Sequence, residues 1–408
     1  MMRANSFIKR IKEKGIKHIF THTIPTKIII YATEFVDWLG KMLYKERPLQ
    51  DVIIIESHND FDSNGGAFYD YLIANRYNKK YKIVWFLRNS CPKNLPENVE
   101  GYRYNRPSLK RVYYHCVAKY IVCGHYMIPS LRANQKSYYT THGAFGLKAF
   151  KGNVNIPDEI SYVLTPSGYL KDILAEEYCL KANDNRQVIL GYPSHDVLYS
   201  SKKGDLYKIT TEKYKKTILW MPTFRRSIDG RQDGNIDNSL GIPIIKTVED
   251  YNDLNTRLNK ENVLLIVKIH PMQDMSTVKL HSLSNIILID GSSVKKLGID
   301  NYRLMKDVDA LISDYSSVAY DYLHLDRPIA YTMDDLETYN VGLIVSNPET
   351  LMAGHIIYSF GDFVGFIDEI IECKDVYKEE RKILFDKIWE YHDGNSSERL
   401  ASHMGLIK

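Results

Sequence analysis

The sequence predicts an α/β protein made of two parallel-sheet units. Short runs rich in Val, Ile and Tyr alternate with amphipathic stretches from residue 51 onward. The runs are near-continuously apolar, as strands covered on both faces are. A polar, Lys-rich interval at 201–216, "SKKGDLYKITTEKYKK", interrupts the rhythm, which then restarts. With 408 residues, 44% of them apolar, the chain can bury two such cores.

The first segment is basic. Residues 1–50 hold ten Lys or Arg against four Asp or Glu, while the net charge of the whole chain is only +4. Ile8, Ile11, Ile16 and Ile19 recur at roughly helical spacing with Lys and Arg between them, and the pattern continues into "TKIIIYATEFVDWLGKML". It reads as a helix lying on an anionic membrane surface, or as a solvated first helix packed on its own domain. No run is long and apolar enough to span a bilayer. No apolar core with a small-residue cleavage site follows the basic start, so a removable signal peptide is not expected.

The strand candidates of the first unit are "DVIIIES", "YKIVWFL", "KYIVCG", "SYYTTHG", "YVLTP" and "QVILGYP", with helices in "GGAFYDYLIANRY" and "PSLKRVYYHCVAK". Those of the second are "TILWMPTF", "VLLIVKIHP", "IILID", "ALISDYSS" and "PIAYTM", and the tail from "FVGFIDEIIECKD" onward is helical. The expected domains are therefore 1–48, a basic membrane-associating segment; 49–205 and 206–375, two Rossmann-like units; and 376–408, helices that cross back toward the first unit. Five cysteines, an odd number with no CxxC spacing, read as reduced core residues rather than a disulfide framework or a zinc site.

In open α/β sheets the functional residues sit at the carboxyl ends of strands. Those positions gather His142-Gly143, Thr223 with Arg225-Arg226, His270-Pro271, and Asp314-Tyr315-Ser316-Ser317. Each has an ordinary structural role as well: a histidine in a turn, a capping Thr or Ser, a solvated Arg. One ligand class suits them together, an anion such as a diphosphate. Ser hydroxyls and planar Arg donors bind phosphate oxygens, His270 donates a hydrogen bond, and His142 serves as base on an incoming hydroxyl. Asp314 and Asp321 suit ribose or polyol hydroxyls, or the orienting of a histidine. The sequence contains no P-loop, no GxGxxG after a strand, no HExxH and no GxSxG, so neither cofactor nor metal is expected.

The stretches "TILWMPTFR", "LLIVKIHP" and above all "DVDALISDYSSVAYDYLHLDRPIAY" resemble the CDP-glycerol glycerophosphotransferases of teichoic-acid and related cell-surface polymer synthesis. The opening "RPLQDVIIIESHNDFDSNGGAFYDYLIAN" and the closing "YHDGNSSERL" extend the resemblance over roughly residues 45 to 403. It implies a GT-B fold, two Rossmann-like domains facing a central cleft, with acceptor binding in the first and CDP-donor binding in the second. It further implies transfer of glycerol phosphate, or another alditol phosphate, from a CDP-linked donor to a hydroxyl of a polyprenyl-diphosphate-linked or polymer acceptor, with release of CMP. The implied location is peripheral, on the cytoplasmic face of the plasma membrane, with no nucleic-acid partner. Carried over by position, His142 becomes the base on the acceptor and His270 a contact to the donor diphosphate. Gly143, Thr223, Arg225, Asp314, Ser316, Ser317 and Asp321 become donor-side or substrate-binding residues.

The family's Trp-His-Gly-Thr-Pro-Leu-Lys motif is here Thr141-His142-Gly143-Ala144-Phe145-Gly146-Leu147-Lys148. Only the His-Gly core and the Leu-Lys end survive, which leaves acceptor identity open. The chain's length favours a single-transfer or short-chain enzyme over a long-chain polymerase. Two other readings stay open: a glycosyltransferase that uses a nucleotide sugar on the same fold, and a non-catalytic, membrane-bound binder of anionic polymer.

Overall fold

The computed structural model describes residues 24–141, 143–181, 183–233 and 240–407. The basic repeat of Ile8 to Ile19 and the candidate base His142 lie outside them. The described chain forms two compact units. One holds the residues up to 141 together with 157–163 and 401–407; the other holds 143–156 and 164–400. The Lys-rich interval near 205 is packed into the second unit. There Asp205, fully buried, accepts from Asp300 N at 2.8 Å and pairs with Lys208 and Arg303.

The first unit begins with α1 (Ile24–Tyr44). Its sheet uses β1 (Gln50–Glu56), β2 (Lys82–Leu87), β3 (Val99–Arg103), β4 (Ala118–Cys123), β5 (Lys136–Tyr139), β6 (Tyr162–Leu164) and the short β7 (Gln187–Val188). Their order is β3-β2-β1-β4-β5-β6-β7. Pairings β3–β2, β2–β1, β1–β4, β4–β5 and β5–β6 are parallel. Helices α2 (Ser63–Ala74) and α3 (Leu109–Val117) connect strands, and Ser108 caps α3 by accepting from Arg111 N. One face of α1 packs on α3, where a Cβ at Gly40 would stand 2.7 Å from Val112 Cγ1 and Arg111 pairs with Asp37. The other face carries Ile28, Tyr31, Phe35, Trp38 and Met42, each 59–65% exposed.

The second unit carries α4 (Lys171–Glu177), α5 (Asp196–Tyr199), β8 (Lys216–Trp220), α6 (Val248–Lys260), β9 (Val263–Lys268) and β10 (Ile286–Ile289). After them come α7 (Gly291–Leu297), α8 (Asn301–Met305), β11 (Ala310–Ser313), α9 (Val318–Tyr322), β12 (Ile329–Thr332) and β13 (His355–Ile357). Helices α10 (Phe360–Ile371), α11 (Lys378–Ile388) and α12 (Ser396–Met404) close the chain. The strand order is β10-β9-β8-β11-β12-β13, and every pairing is parallel. In both sheets the order runs outward in one direction, then reverses next to the first strand. That is doubly wound α/β topology, with switch points between β1 and β4 and between β8 and β11.

The sequence pattern located most of these strands. It did not mark β3 ("VEGYR") or β13 ("HII"), which lack a continuous apolar run, and β7 is shorter than "QVILGYP" implies. Three of the five cysteines, Cys91, Cys179 and Cys373, are exposed rather than in the core, and all five are free thiols. Cys179 and Cys373 occupy left-handed backbone at φ 54° and 58°, just beyond the ends of α4 and α10.

Candidate active site

The carboxyl ends of β8 and β11 flank the switch point of the second sheet, where a doubly wound sheet leaves room for a ligand. Asp314, directly after β11, is fully buried. Its Oδ2 accepts from Thr223 N at 2.9 Å, Thr223 Oγ1 at 2.8 Å and Arg225 Nη1 at 3.0 Å. Arg225 is also buried, and its Nε and Nη2 donate to Asp335 beyond β12. Burial opposes a charge on this guanidinium, but the carboxylates of Asp314 and Asp335 outweigh it and hold the group cationic. Tyr315 donates its hydroxyl to Asp335 at 2.9 Å and stacks on Tyr339 with 3.9 Å between ring centres, both rings beside the guanidinium.

Thr223, Arg225 and Asp314 thus form a buried lock that ties the β8 turn to the β11 turn. The side-chain hydrogen bonds of Arg225 end on oxygens of Thr223, Asp314 and Asp335. One acceptor remains: Asp314 Oδ1 is buried with no hydrogen-bond partner.

The groups left open lie around this lock. His270 follows β9, and its Nδ1 accepts from Met272 N at 3.1 Å. That bond fixes the neutral tautomer with its proton on Nε2, a donor. Burial, and then the charges of Lys268, Lys148 and Arg231, push the imidazole down to about 4, against weaker opposition from Asp233. Lys148 and Arg231 both pair with Asp233. Ser316 and Ser317 are half-buried. Ser317 occupies the N-cap position of α9 but makes no side-chain capping bond, and Ser316 Oγ meets Val318 N only at 3.5 Å.

Residues 143–147 pass close over this turn, with Leu147 N donating to Tyr315 O at 3.1 Å. A Cβ at Gly143 would lie 2.8 Å from Ser317 Oγ, and one at Gly146 would lie 2.9 Å from Ser317 N. Gly146 meets backbone and therefore needs glycine for close approach, whereas at Gly143 the Ser317 hydroxyl would have to turn aside.

Asp321 is not brought to this group. All five residues of α9 are buried, so its faces point into different surroundings. The Asp321 carboxylate accepts from His195 Nε2 at 2.9 Å and from the Tyr302 hydroxyl at 3.3 Å. His195 lies against Trp389 and His324, with ring centres 4.7 and 4.4 Å away. This cluster ties the segment at 193–196 to α9 and the end of α11.

The family model described as CDP-Glycerol:Poly(glycerophosphate) glycerophosphotransferase matches residues 41–404. The chain belongs to that family. It is 25% identical over 369 residues to the teichoic acid glycerol-phosphate primase of Bacillus subtilis (strain 168), covering 84% of this chain and 89% of the relative. It is 26% identical over 392 residues to the teichoic acid ribitol-phosphate polymerase TarK of Staphylococcus aureus (strain NCTC 8325 / PS 47), covering 90% and 70%. The wall teichoic acid polymerase TagF has a similar structure, with a TM-score of 0.71 and 19% identity, covering 98% of this chain and 97% of that one. This glycerophosphotransferase-family chain is a transferase, and its two parallel α/β units are of GT-B type.

Sequence reading gave no site role to Asp335 or Gly146, and it collected Tyr315 with its turn without assigning it a partner. Asp335 lies 110 residues from Arg225 and follows a strand whose end carries no motif. Gly146 sits where the family motif is disrupted, and its requirement for close approach shows only once the chain is folded.

Proposed function

We propose that the protein transfers glycerol phosphate, or a related alditol phosphate, from a CDP-linked donor to a hydroxyl of a lipid-linked or polymer acceptor and releases CMP. The observation that carries this reading is the set of open donors at the second switch point. His270, just past β9, presents Nε2–H, and the Ser316 and Ser317 hydroxyls, just past β11, have no strong capping role. Such groups take phosphate oxygens. Family membership supplies the donor class, and a TagF variant soaked with CDPG is among the solved relatives.

The acceptor hydroxyl attacks the alditol-bearing phosphorus, its proton passes to His142, and the bond from that phosphorus to the CMP oxygen breaks. His270 and the two serines hold the charge that collects on the leaving phosphate. Arg225 and Asp314 act through the lock, fixing the two turns that carry those donors. A positioned general base contributes about 10²–10⁴-fold, so His142→Ala keeps donor binding while losing turnover in that range.

The test is nucleotide release on incubation with CDP-glycerol, CDP-ribitol and a panel of UDP-sugars. CMP from one of the CDP-alditols is expected. UDP release would make the chain a sugar transferase, and no release with any donor would make it a non-catalytic binder.

We further propose that the enzyme works at the cytoplasmic face of an anionic membrane. The exposed stripe of α1, with Lys27 and Lys41 on the same helix and ten basic residues in the first 50, supports this. Phe35→Glu/Trp38→Glu is expected to abolish flotation with anionic vesicles. Undiminished flotation would remove α1 from the binding surface.

A further inference from the structure

Strand β9 reads "VLLIVK", and all six of its residues are buried. Five are apolar; the sixth is Lys268, only 5% exposed. Among the described residues no carboxylate pairs with it and no acceptor takes its protons. An ammonium on so nearly buried a side chain, without a counter-ion, is a charge that proteins keep paired or hold for a ligand.

The fold decides where this charge points. Val263, Leu265, Val267 and Ile269 join the core cluster on one face of the sheet, so alternation puts Lys268 and His270 on the opposite face. Val267 pairs with Trp220, and Trp220 with Ile312, and all three belong to that same core. The next row across β9, β8 and β11 is therefore Lys268, Met221 and Ser313. Neighbouring strands stand about 4.8 Å apart, so Lys268 lies roughly 10 Å across the sheet edge from the strand that carries Asp314, Ser316 and Ser317.

The nearby carboxylates are already engaged, Asp233 by Lys148 and Arg231, and Asp314 by Arg225 and Thr223. Among these groups the Lys268 charge is left without a counter-ion.

We propose that Lys268 is a donor-binding residue whose ammonium takes the phosphate oxygens of the CDP-alditol diphosphate, alongside His270. The assignment rests on the donor-site reading given above. Burial lowers the Lys268 ammonium to about 8, so it remains mostly charged near neutrality. A compact ammonium suits a diphosphate, whose charge is spread over several oxygens. The same charge helps keep His270 neutral and hence a donor.

Calorimetric titration of inorganic pyrophosphate and of CDP-glycerol into wild type, Lys268→Met and Lys268→Arg tests the assignment. Methionine keeps the length of the stem without the charge. Lys268→Met is expected to weaken both ligands about tenfold or more, with Lys268→Arg intermediate. It is also expected to melt at or above the wild-type temperature without ligand and to lose the ligand-induced rise. A purely structural lysine would give a lower melting temperature and unchanged affinities, which would overturn the proposal. CDP-glycerol binding that ignores Lys268 overturns this residue's role while the donor site stands. Lys268-dependent pyrophosphate binding without CDP-glycerol binding leaves the anion site and overturns the donor reading. Binding of neither ligand by wild type overturns both.

Discussion

In the first sheet β1 and β4 diverge at Glu56; in the second, β8 and β11 diverge at Asp314. Both carboxylates are fully buried and both bridge their switch point. Glu56 Oε2 does so with backbone alone, accepting from the N–H groups of Gly124, His125 and Tyr126 at 2.9–3.1 Å. No cation pairs with it in these bonds. Burial pushes its pKa up to about 7, against the lowering effect of those three N–H bonds. Asp314 instead sits on a guanidinium, inside a network that reaches Asp335, with Lys268 and His270 two strands away, at the end of β9 and just beyond it. One topology therefore gives two electrostatic outcomes. The first switch point is closed by a carboxylate held on backbone N–H groups, and the second by a carboxylate held on a buried guanidinium.

The largest expected difference is in stability. Removing one partner of a buried ion pair costs about 3–5 kcal/mol. Arg225→Met, which strands Asp314 and Asp335, should lose that much in urea unfolding at neutral pH. Glu56→Gln should lose far less, because its amide oxygen still accepts from the same turn. Equal losses would mean that the two locks do not differ in kind.

Next in size is a pH effect confined to the first sheet. Between pH 4.5 and about 7 the folded chain retains a proton on Glu56 that the unfolded chain has released. Stability contributed by this group therefore falls as pH rises through that window, by on the order of 3 kcal/mol. The stability of wild type minus that of Glu56→Gln, from urea curves at about pH 5 and about pH 7.5, should fall accordingly. A pH-independent difference would place the ionised carboxylate in the folded state throughout.

The smallest effect concerns the open hydroxyls. Ser316→Ala/Ser317→Ala should weaken CDP-glycerol about tenfold and leave urea unfolding nearly unchanged, since neither side chain makes a strong cap. Loss of stability with unchanged affinity would reduce both serines to structural residues.

Much of this was legible in the sequence, and the parts that were not have physical reasons. The apolar runs gave the strands of both sheets, and reading only strand ends collected Thr223, Arg225, His270 and the Asp314–Ser317 turn. The roles of those residues depend on partners far away in sequence. Arg225 reads as a free phosphate ligand until Asp335 is beside it. Asp321, one helical turn past the serines, reads as part of the same site until α9 proves buried on every side and hands that carboxylate to His195. Lys268 reads as the polar end of a strand, because its isolation appears only when the neighbouring carboxylates are seen to be engaged. Gly143 and Gly146 carry no periodic signal at all; closeness to Ser317 defines them.

On the proposed reading the donor enters at the carboxyl edge of the second sheet and not of the first. Hydrogen-exchange mass spectrometry of the full chain, with and without CDP-glycerol, tests it directly. Slowed exchange is expected in the segments spanning 268–273 and 314–322, and none across 56–62 or 124–126. Protection at 124–126 with no change at 314–322 would contradict it.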